Sequence, residues 1–167
     1  MSHLEFKQLT ADNRTQLNKL IHNIEDSLDN KSFWLPIDAI SRTHFLDNDW
    51  TIFNGCFFNG YLVAASGLFL NPHEYYESAK QLKIENRNIA ELGRLMVSPE
   101  CRGSYLSFYT SRTLIDIAKQ KGIDYIIATV HPDNIPSKKT LEKLGFEKSG
   151  YILKQENYQR DIYLRII

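Results

Sequence analysis

The chain has 167 residues, of which 43% are hydrophobic and 24% are charged, as is typical of one globular domain with a full hydrophobic core. Twenty basic residues balance twenty acidic ones, so the net charge offers no attraction to nucleic acid or to an anionic membrane. The N-terminus lacks an apolar signal region, and no apolar run approaches the roughly 20 residues of a membrane span. We therefore expect a cytoplasmic protein with a single domain over residues 1–167, without nucleic-acid or membrane partners.

The cysteine and histidine spacing does not favour a metal site. Cys56 and Cys101 lie far apart and form no C-x-x-C pair, and His22, His44 and His73 are scattered without the spacing of metal ligands. We therefore expect no metal cofactor.

The first half of the chain predicts alternating strands and helices. A strand at 3–9, a helix at 10–28, a loop at 29–36, a second helix at 37–46 and two strands within 50–70 follow one another. Asn59-Gly60 predicts a tight hairpin turn between those two strands. The segment 71–88 is polar and irregular, and it predicts a loop, with a helical turn inside it as the alternative.

The second half continues the alternation. It predicts a strand at 89–97, a long helix from about Ser104, a buried strand at 124–130, a short helix, and two final strands around the polar turn 154–159. Asn134 fits the cap of the short helix, Pro136 its first turn and Gly145 the position after its end. Strands interleaved with helices indicate an α/β (α+β) domain with a mixed sheet.

The junction Arg102-Gly103-Ser104, between a strand and the long helix, has the chemistry of an anion site. The first N–H groups of a helix have no partner within the helix, and the helix dipole favours an anion there. Gly103 would allow close backbone approach, and Arg102 would add charge. A simple turn with a solvated arginine is the alternative.

The segment from about Ile89 to Phe146 resembles the GNAT acetyltransferase superfamily. Three elements carry the resemblance, in the family's order and at its spacing: "V-x-P-E-x-R-G" before a long helix, an apolar strand, and "N-x-x-S…EKLGF". The resemblance implies a GNAT-like acyl-CoA N-acyltransferase fold, in which a twisted mixed sheet of six or seven strands is flanked by helices. It also implies that the donor enters between the fourth and fifth strands, and that the donor is acetyl-CoA.

The resemblance further implies a set of acetyl-CoA contacts. In the family, main-chain N–H groups of the Arg-Gly turn bind the pyrophosphate, the preceding strand binds the pantetheine, and the asparagine before the late helix also contacts the cofactor. Carried over to this sequence, the contacts fall to Leu95, Met96 and Val97 on the strand, to Arg102, Gly103, Ser104, Tyr105, Leu106 and Ser107 at the turn and helix start, and to Asn134 and Ser137.

Three positions depart from the family pattern. Glu100 stands where the turn usually begins with glutamine or arginine, and Tyr105 stands where a second glycine or an alanine is usual. Tyr105 would have to point away from the phosphates. Leu141 occupies the position at which many members have a tyrosine as general acid.

Glu91 is the candidate general base. Acyl transfer to an amine requires a deprotonated nucleophile, and a positioned carboxylate can accept that proton. Several GNAT enzymes place a catalytic glutamate on this strand, at this distance from the Arg-Gly turn. The alternative is a structural glutamate, paired for instance with Arg94.

The predicted function is N-acetyl transfer from acetyl-CoA to an amine of a small molecule or peptide. Residues 91–97, "E-x-x-R-x-x-V", also resemble the acyl-homoserine-lactone and N-acyl amino acid synthases, so a longer acyl-CoA or acyl carrier protein donor is one alternative. A non-catalytic module that binds or senses acyl-CoA is another, because of Tyr105 and Leu141. The resemblance also allows a homodimer.

The acceptor pocket is expected to involve the two segments 29–49 and 71–88. Their acidic residues, Asp38, Asp47, Glu74 and Glu77, favour a cationic amine as acceptor. The aromatic residues of these segments are candidates to line the pocket: Phe33, Trp34, Tyr75 and Tyr76.

Overall fold

The computed structural model describes residues 1–47 and 49–167, which form seven strands and five α-helices. The strands are β1 (Leu4–Gln8), β2 (Thr51–Phe58), β3 (Tyr61–Phe69), β4 (Ile89–Val97), β5 (Tyr125–Val130), β6 (Glu147–Lys154) and β7 (Tyr158–Ile166). The helices are α1 (Arg14–Ser27), α2 (Ala39–His44), α3 (Pro72–Gln81), α4 (Leu106–Gln120) and α5 (Ile135–Lys143).

All seven strands join in one mixed sheet, in the order β1-β2-β3-β4-β5-β7-β6. Neighbouring strands are antiparallel except β4 and β5, which are parallel and are connected through α4. The predicted mixed sheet with helices on both faces is confirmed.

Helices cover both faces of the sheet, because β3 and β4 alternate buried apolar side chains toward opposite sides. On one face Leu68 and Leu92 pack with α4 and α5, through Leu114 and Leu141 among others. On the other face Phe69 and Met96 belong to a cluster with the apolar side of α1, formed by Leu17, Leu20, Ile21 and Ile24. The two clusters hold the middle of the sheet between α1 and α4.

Several local predictions are confirmed. The hairpin turn at Asn59-Gly60 has positive φ at both residues, 48° and 84°. Asn134 caps α5, since its Oδ1 accepts a hydrogen bond from the Ser137 N–H at 3.4 Å, and Gly145 follows the helix with φ of 86°.

Two local predictions are wrong. The segment 71–88 is not mainly a loop, because it contains α3, whose first turn is capped by the Asn71 side chain and includes Pro72. Its buried residues are Ser78 and Ala79, so the helix lacks the apolar period that sequence reasoning depends on. In addition, α4 begins at Leu106 and not near Ser104, because Gly103 and Tyr105 have positive φ, 79° and 61°.

None of the helices formed by the described residues combines the length and the apolar character that a membrane span requires.

Candidate active site

A cleft of about 1220 Å³ opens where β4 and β5 separate. The two strands are paired only over Ile89–Glu91, opposite Tyr125–Ile127. Beyond Glu91 their paths diverge, and the cleft is lined by β4, by the start of α4, by α5, by the segment after α1 and by the end of β6. The separation leaves the β5-facing edge of β4 available for a ligand to pair with its main chain.

A β-bulge in β4 bends the strand at this point. Met96 pairs with Ala65 and Gly93 pairs with Gly67, so two residues of β4, Arg94 and Leu95, oppose one residue of β3. Arg94 has φ of 51°, and bulges of this kind turn a strand and change the direction of its side chains. The bulge is therefore the local cause of the divergence from β5.

The main-chain N–H groups from 102 to 107 form a run of free donors beside the cleft. None of them donates a hydrogen bond to another group within residues 1–47 and 49–167; the first N–H groups of this region to do so are those of Phe108 and Tyr109, which bond to the Tyr105 carbonyl. Gly103 and Tyr105, both with positive φ, turn the chain into this arrangement. A Cβ placed on Gly103 would meet no atom within 4 Å, so the space in front of the turn is open.

The side chains of the turn have local partners. Arg102 leans toward α1, where its Nη2 donates to the Ser27 hydroxyl at 2.7 Å. The Ser104 hydroxyl donates to the Cys101 carbonyl. The Tyr105 ring lies against Lys143 of α5, whose Nζ is 4.4 Å from the ring centroid.

The structure brings most of the predicted cofactor contacts to the cleft. Its lining includes Leu95, Val97, Arg102, Gly103, Ser104, Tyr105, Ser107, Asn134 and Ser137. Met96 and Leu106 are the exceptions: their side chains are buried in the core, packed with α1 and with Cys56 and Ala64 respectively. Only the main chain of these two residues could contact a ligand.

Glu91 lies in the cleft with one oxygen paired and one without a partner. Its Oε1 accepts a hydrogen bond from the Lys154 ammonium at 2.9 Å, whereas its Oε2 is buried and has no hydrogen-bond partner in the described part of the chain. Burial raises the pKa of Glu91, and the charge of Lys154 opposes that rise. Arg94, named as a partner in the alternative interpretation of Glu91, does not contact it, and the cation that pairs with Glu91 is Lys154.

His131 also lines the cleft, at the end of β5. Its Nδ1 accepts a hydrogen bond from the Asp133 N–H at 3.0 Å, and its ring stacks on Phe33 with centroids 4.7 Å apart. The accepting Nδ1 leaves Nε2 as the nitrogen that can carry a proton. Leu141, at the position where a tyrosine is usual, is almost wholly buried.

Sequence reasoning missed Lys154 and Arg160 entirely. Arg160 is only 2% exposed, and its guanidinium donates to the Gln159 and Ser32 carbonyls, each at 2.7 Å. Arg94 was considered only as a partner of Glu91, but its Nη1 donates to the Leu35 carbonyl at 2.6 Å and its guanidinium lies over the Trp34 ring. No local signal marks Lys154 or Arg160, because only the pairing of β6 and β7 brings them to the cleft.

The expected acceptor residues divide into two groups. Phe33, Trp34, Glu74 and Glu77 line the cleft, and Tyr75 and Tyr76 do not. Asp38 instead caps α2 by accepting from Ser41, and Asp47 pairs with Arg14. Within the described residues, no three His, Cys, Asp or Glu side chains gather closely enough to bind a metal ion.

Comparisons with known proteins agree with this architecture. Residues 18–146 match the sequence model of the acetyltransferase (GNAT) family. No curated protein sequence is significantly similar to the chain.

Solved structures of the same fold share little sequence with the chain. An N-acetyltransferase from Staphylococcus aureus is 15% identical, with a TM-score of 0.74 over 98% of this chain and 97% of that one. An N-acyl amino acid synthase from uncultured soil microbes is 14% identical, with a TM-score of 0.75 over 99% and 92%. A protein from Salmonella typhimurium solved with its cofactor acetyl-CoA is 14% identical, with a TM-score of 0.70 over 98% and 93%.

The family match covers most of the chain and includes most of the cleft lining, the free N–H run and Glu91. The chain therefore belongs to the acetyltransferase (GNAT) family, and it is an acyltransferase.

Proposed function

We propose that the protein transfers the acetyl group of acetyl-CoA directly to the amine of an acceptor. The observation that carries the proposal is the run of free N–H groups from 102 to 107 at the start of α4. Such a run, with the positive end of the helix dipole behind it, is suited to a pyrophosphate. The acetyl-CoA bound to the Salmonella typhimurium protein of the same fold is consistent with this donor.

Different residues of the cleft would bind the donor, orient the thioester and stabilise the oxyanion. The N–H groups of 102–107 bind the pyrophosphate, the free edge of β4 after Glu91 pairs with the pantetheine, and the Asn134 amide adds a polar contact. These contacts would hold the thioester near Glu91. Orientation of the reacting groups by itself raises the rate of acyl transfer. A main-chain N–H of β4 would stabilise the oxyanion.

Glu91 would act as the general base. As the amine nitrogen bonds to the acetyl carbon and the carbon–sulfur bond breaks, the amine loses a proton to the unpartnered Oε2, directly or through a water. The leaving group is a thiolate, and because a thiol has a pKa near 8.5 it needs little help from an acid. A buried Leu141 in place of a tyrosine is therefore compatible with catalysis.

A longer acyl donor is the second candidate. The Glu91–Arg94 spacing resembles that of acyltransferases which use such donors, and both residues line the cleft of about 1220 Å³. The non-catalytic alternative is not favoured, because the chain belongs to a family of transferases.

Calorimetric titration tests the proposal first. We expect acetyl-CoA to bind at micromolar concentration, and an acceptor panel to release free CoA in proportion to the acetylated amine. Titration with longer acyl-CoA thioesters and with acylated carrier protein separates the second candidate. Folded protein that binds no acyl-CoA would contradict the proposal.

Replacing Lys154 should move the pH dependence of the reaction. Lys154→Gln removes the charge that holds down the raised pKa of Glu91, so the pKa of Glu91 should rise further. Since the base acts as the carboxylate, the acidic limb of the kcat profile should shift to higher pH by about one unit. At pH values below the wild-type pKa of Glu91, kcat should therefore fall about tenfold, and it should recover in alkaline buffer.

Lys148→Gln is the matched control. Lys148 pairs with Asp161 at 3.4 Å and does not line the cleft, so its profile should match that of the wild type. An unshifted acidic limb in Lys154→Gln would mean that Glu91 is not the titrating base.

A further inference from the structure

Two arginines, the half-buried Arg94 and the buried Arg160, face the cleft without a carboxylate in direct contact. Arg94 and Arg160 both line it. Among the described residues, no carboxylate oxygen lies within 4.0 Å of either guanidinium. Their hydrogen bonds go to neutral main-chain carbonyls: one from Arg94, to Leu35, and two from Arg160, to Gln159 and Ser32.

Both groups keep donors for a ligand. A guanidinium has five N–H donors, and these bonds use only part of them. Within the described part of the chain, each side-chain nitrogen of Arg94 and Arg160 either makes a hydrogen bond or keeps some accessible surface. Arg160 is only 2% exposed and lines the cleft. Its small remaining exposed area therefore faces the cleft.

Burial acts against the charge of both arginines. It lowers the pKa of Arg94 to about 10, an effect that the charges of Glu74 and Glu91 oppose and that the charge of Arg160 increases. Burial also lowers the pKa of Arg160. The glutamates act on Arg94 without direct contact, and an anion bound directly to the two guanidinium groups would compensate their desolvation further.

The bulge brings Arg94 to the same side as Glu91. In a regular strand, residues 91 and 94 would point to opposite faces. The extra residue of the bulge and the positive φ of Arg94 change that direction, and both side chains line one cleft. A base for an amine and a pair of guanidinium groups for an anion therefore lie in one pocket.

We propose that the acceptor is an amine that carries a carboxylate, namely a free α-amino acid, whose carboxylate is bound by Arg94 and Arg160 while its amine faces Glu91. The proposal rests on the proposed function and names its substrate class. Guanidinium groups bind carboxylates through two parallel hydrogen bonds, and an α-amino acid carries its amine and carboxylate on one carbon. The exposed Glu74 and Glu77 at the rim suit the ammonium group as it enters.

Pairs of acceptors that differ in one charge test the proposal. Each α-amino acid of a panel is compared with its own primary amide, with acetyl-CoA as donor and kcat/KM as the readout. The amide has the more readily deprotonated amine, so a preference for the acid cannot come from amine reactivity. We expect at least one acid to exceed its amide by about 100-fold or more, because a site built for a charged group rejects the analogue that lacks it.

Arginine variants connect that preference to the site. Arg94→Gln should raise KM for the amino acid about 100-fold, a much larger change than in KM for acetyl-CoA or in the rate with the amide, while Arg94→Lys should restore part of the preference. Arg165→Gln is the control, since Arg165 also donates to a main-chain carbonyl, that of Leu144, but lies outside the cleft. If Arg160→Gln does not fold, the Arg94 variants alone decide the test.

The outcomes separate this inference from the proposed function. Equal or faster acetylation of the amides, or a preference for ethanolamine phosphate over every amino acid, would overturn the inference and leave the acetyltransferase function standing. Calorimetric titration of the protein–CoA complex with amino acids measures the binding of the amino acid in the absence of acetyl transfer. Arg94-dependent binding there would support the inference even if acetyl-CoA proved to be the wrong donor, and its absence across the panel would overturn it.

Discussion

Replacing Glu91 by glutamine should lower kcat by about 100- to 10,000-fold, the usual contribution of a general base. The side chain keeps its shape but loses the ability to accept a proton at Oε2, the oxygen that has no partner in the described part of the chain. The dissociation constant for acetyl-CoA should not change, because the expected donor contacts lie at 102–107 and on β4. Stopped-time assays of acetylated product and calorimetry with acetyl-CoA measure the two quantities.

The pH profile gives a second readout for the same variant. Burial raises the pKa of Glu91, so wild-type activity should rise with pH through that raised value as the carboxylate forms. The glutamine variant should lack this rise. Glu77→Gln is the control, since Glu77 lines the same cleft but is exposed on α3. A loss of less than threefold in Glu91→Gln would reduce Glu91 to a structural partner of Lys154.

Gly103→Ala should weaken acetyl-CoA binding at least about tenfold. At φ of 79° any side chain is strained, by about 1 to 2 kcal/mol. The strain is relieved only if the turn changes its backbone angles, which would redirect the free N–H groups of 102–107. If the turn keeps its angles instead, the new Cβ projects into the open space where we expect the pyrophosphate.

Gly122→Ala separates strain from binding. Gly122 follows α4 with φ of 74°, and a Cβ there would also meet no atom within 4 Å, but the residue does not line the cleft. Both variants should lose similar stability in thermal unfolding, and only Gly103→Ala should lose affinity for acetyl-CoA. Equal affinity in the two variants would show that the pyrophosphate does not bind at this turn.

Tyr105 shows how a local departure from a family pattern can be accommodated. Its φ of 61° explains why glycine is common at this position. The ring is 61% exposed and rests beside Lys143, at the mouth of the cleft and not beneath the turn. The strained backbone therefore keeps the shape of the turn even though the residue is a tyrosine.

The sequence alone determined the features that depend on neighbouring residues. Asn59-Gly60 specifies its turn because few residues adopt positive φ, and Asn134 with Pro136 specifies the start of α5 because capping acts within one helical turn. The Arg102-Gly103 junction predicted its tight turn for the same reason, and the structure gives Gly103 a φ of 79°. Where the local pattern was weak, as in α3 with its small buried residues Ser78 and Ala79, the prediction failed.

Only the tertiary structure decided what surrounds Glu91. Lys154 lies 63 residues after Glu91 and Arg160 lies 66 residues after Arg94, and they reach the cleft because β7 pairs with β5 and β6 pairs with β7. The direction of the Arg94 side chain depends on the bulge in β4 opposite β3. The alternation of apolar and polar residues along β4 does not predict that bulge. Desolvation and pairing are properties of assembled neighbours, so the identity of the cation at Glu91 and the unpaired state of the two arginines follow from the fold.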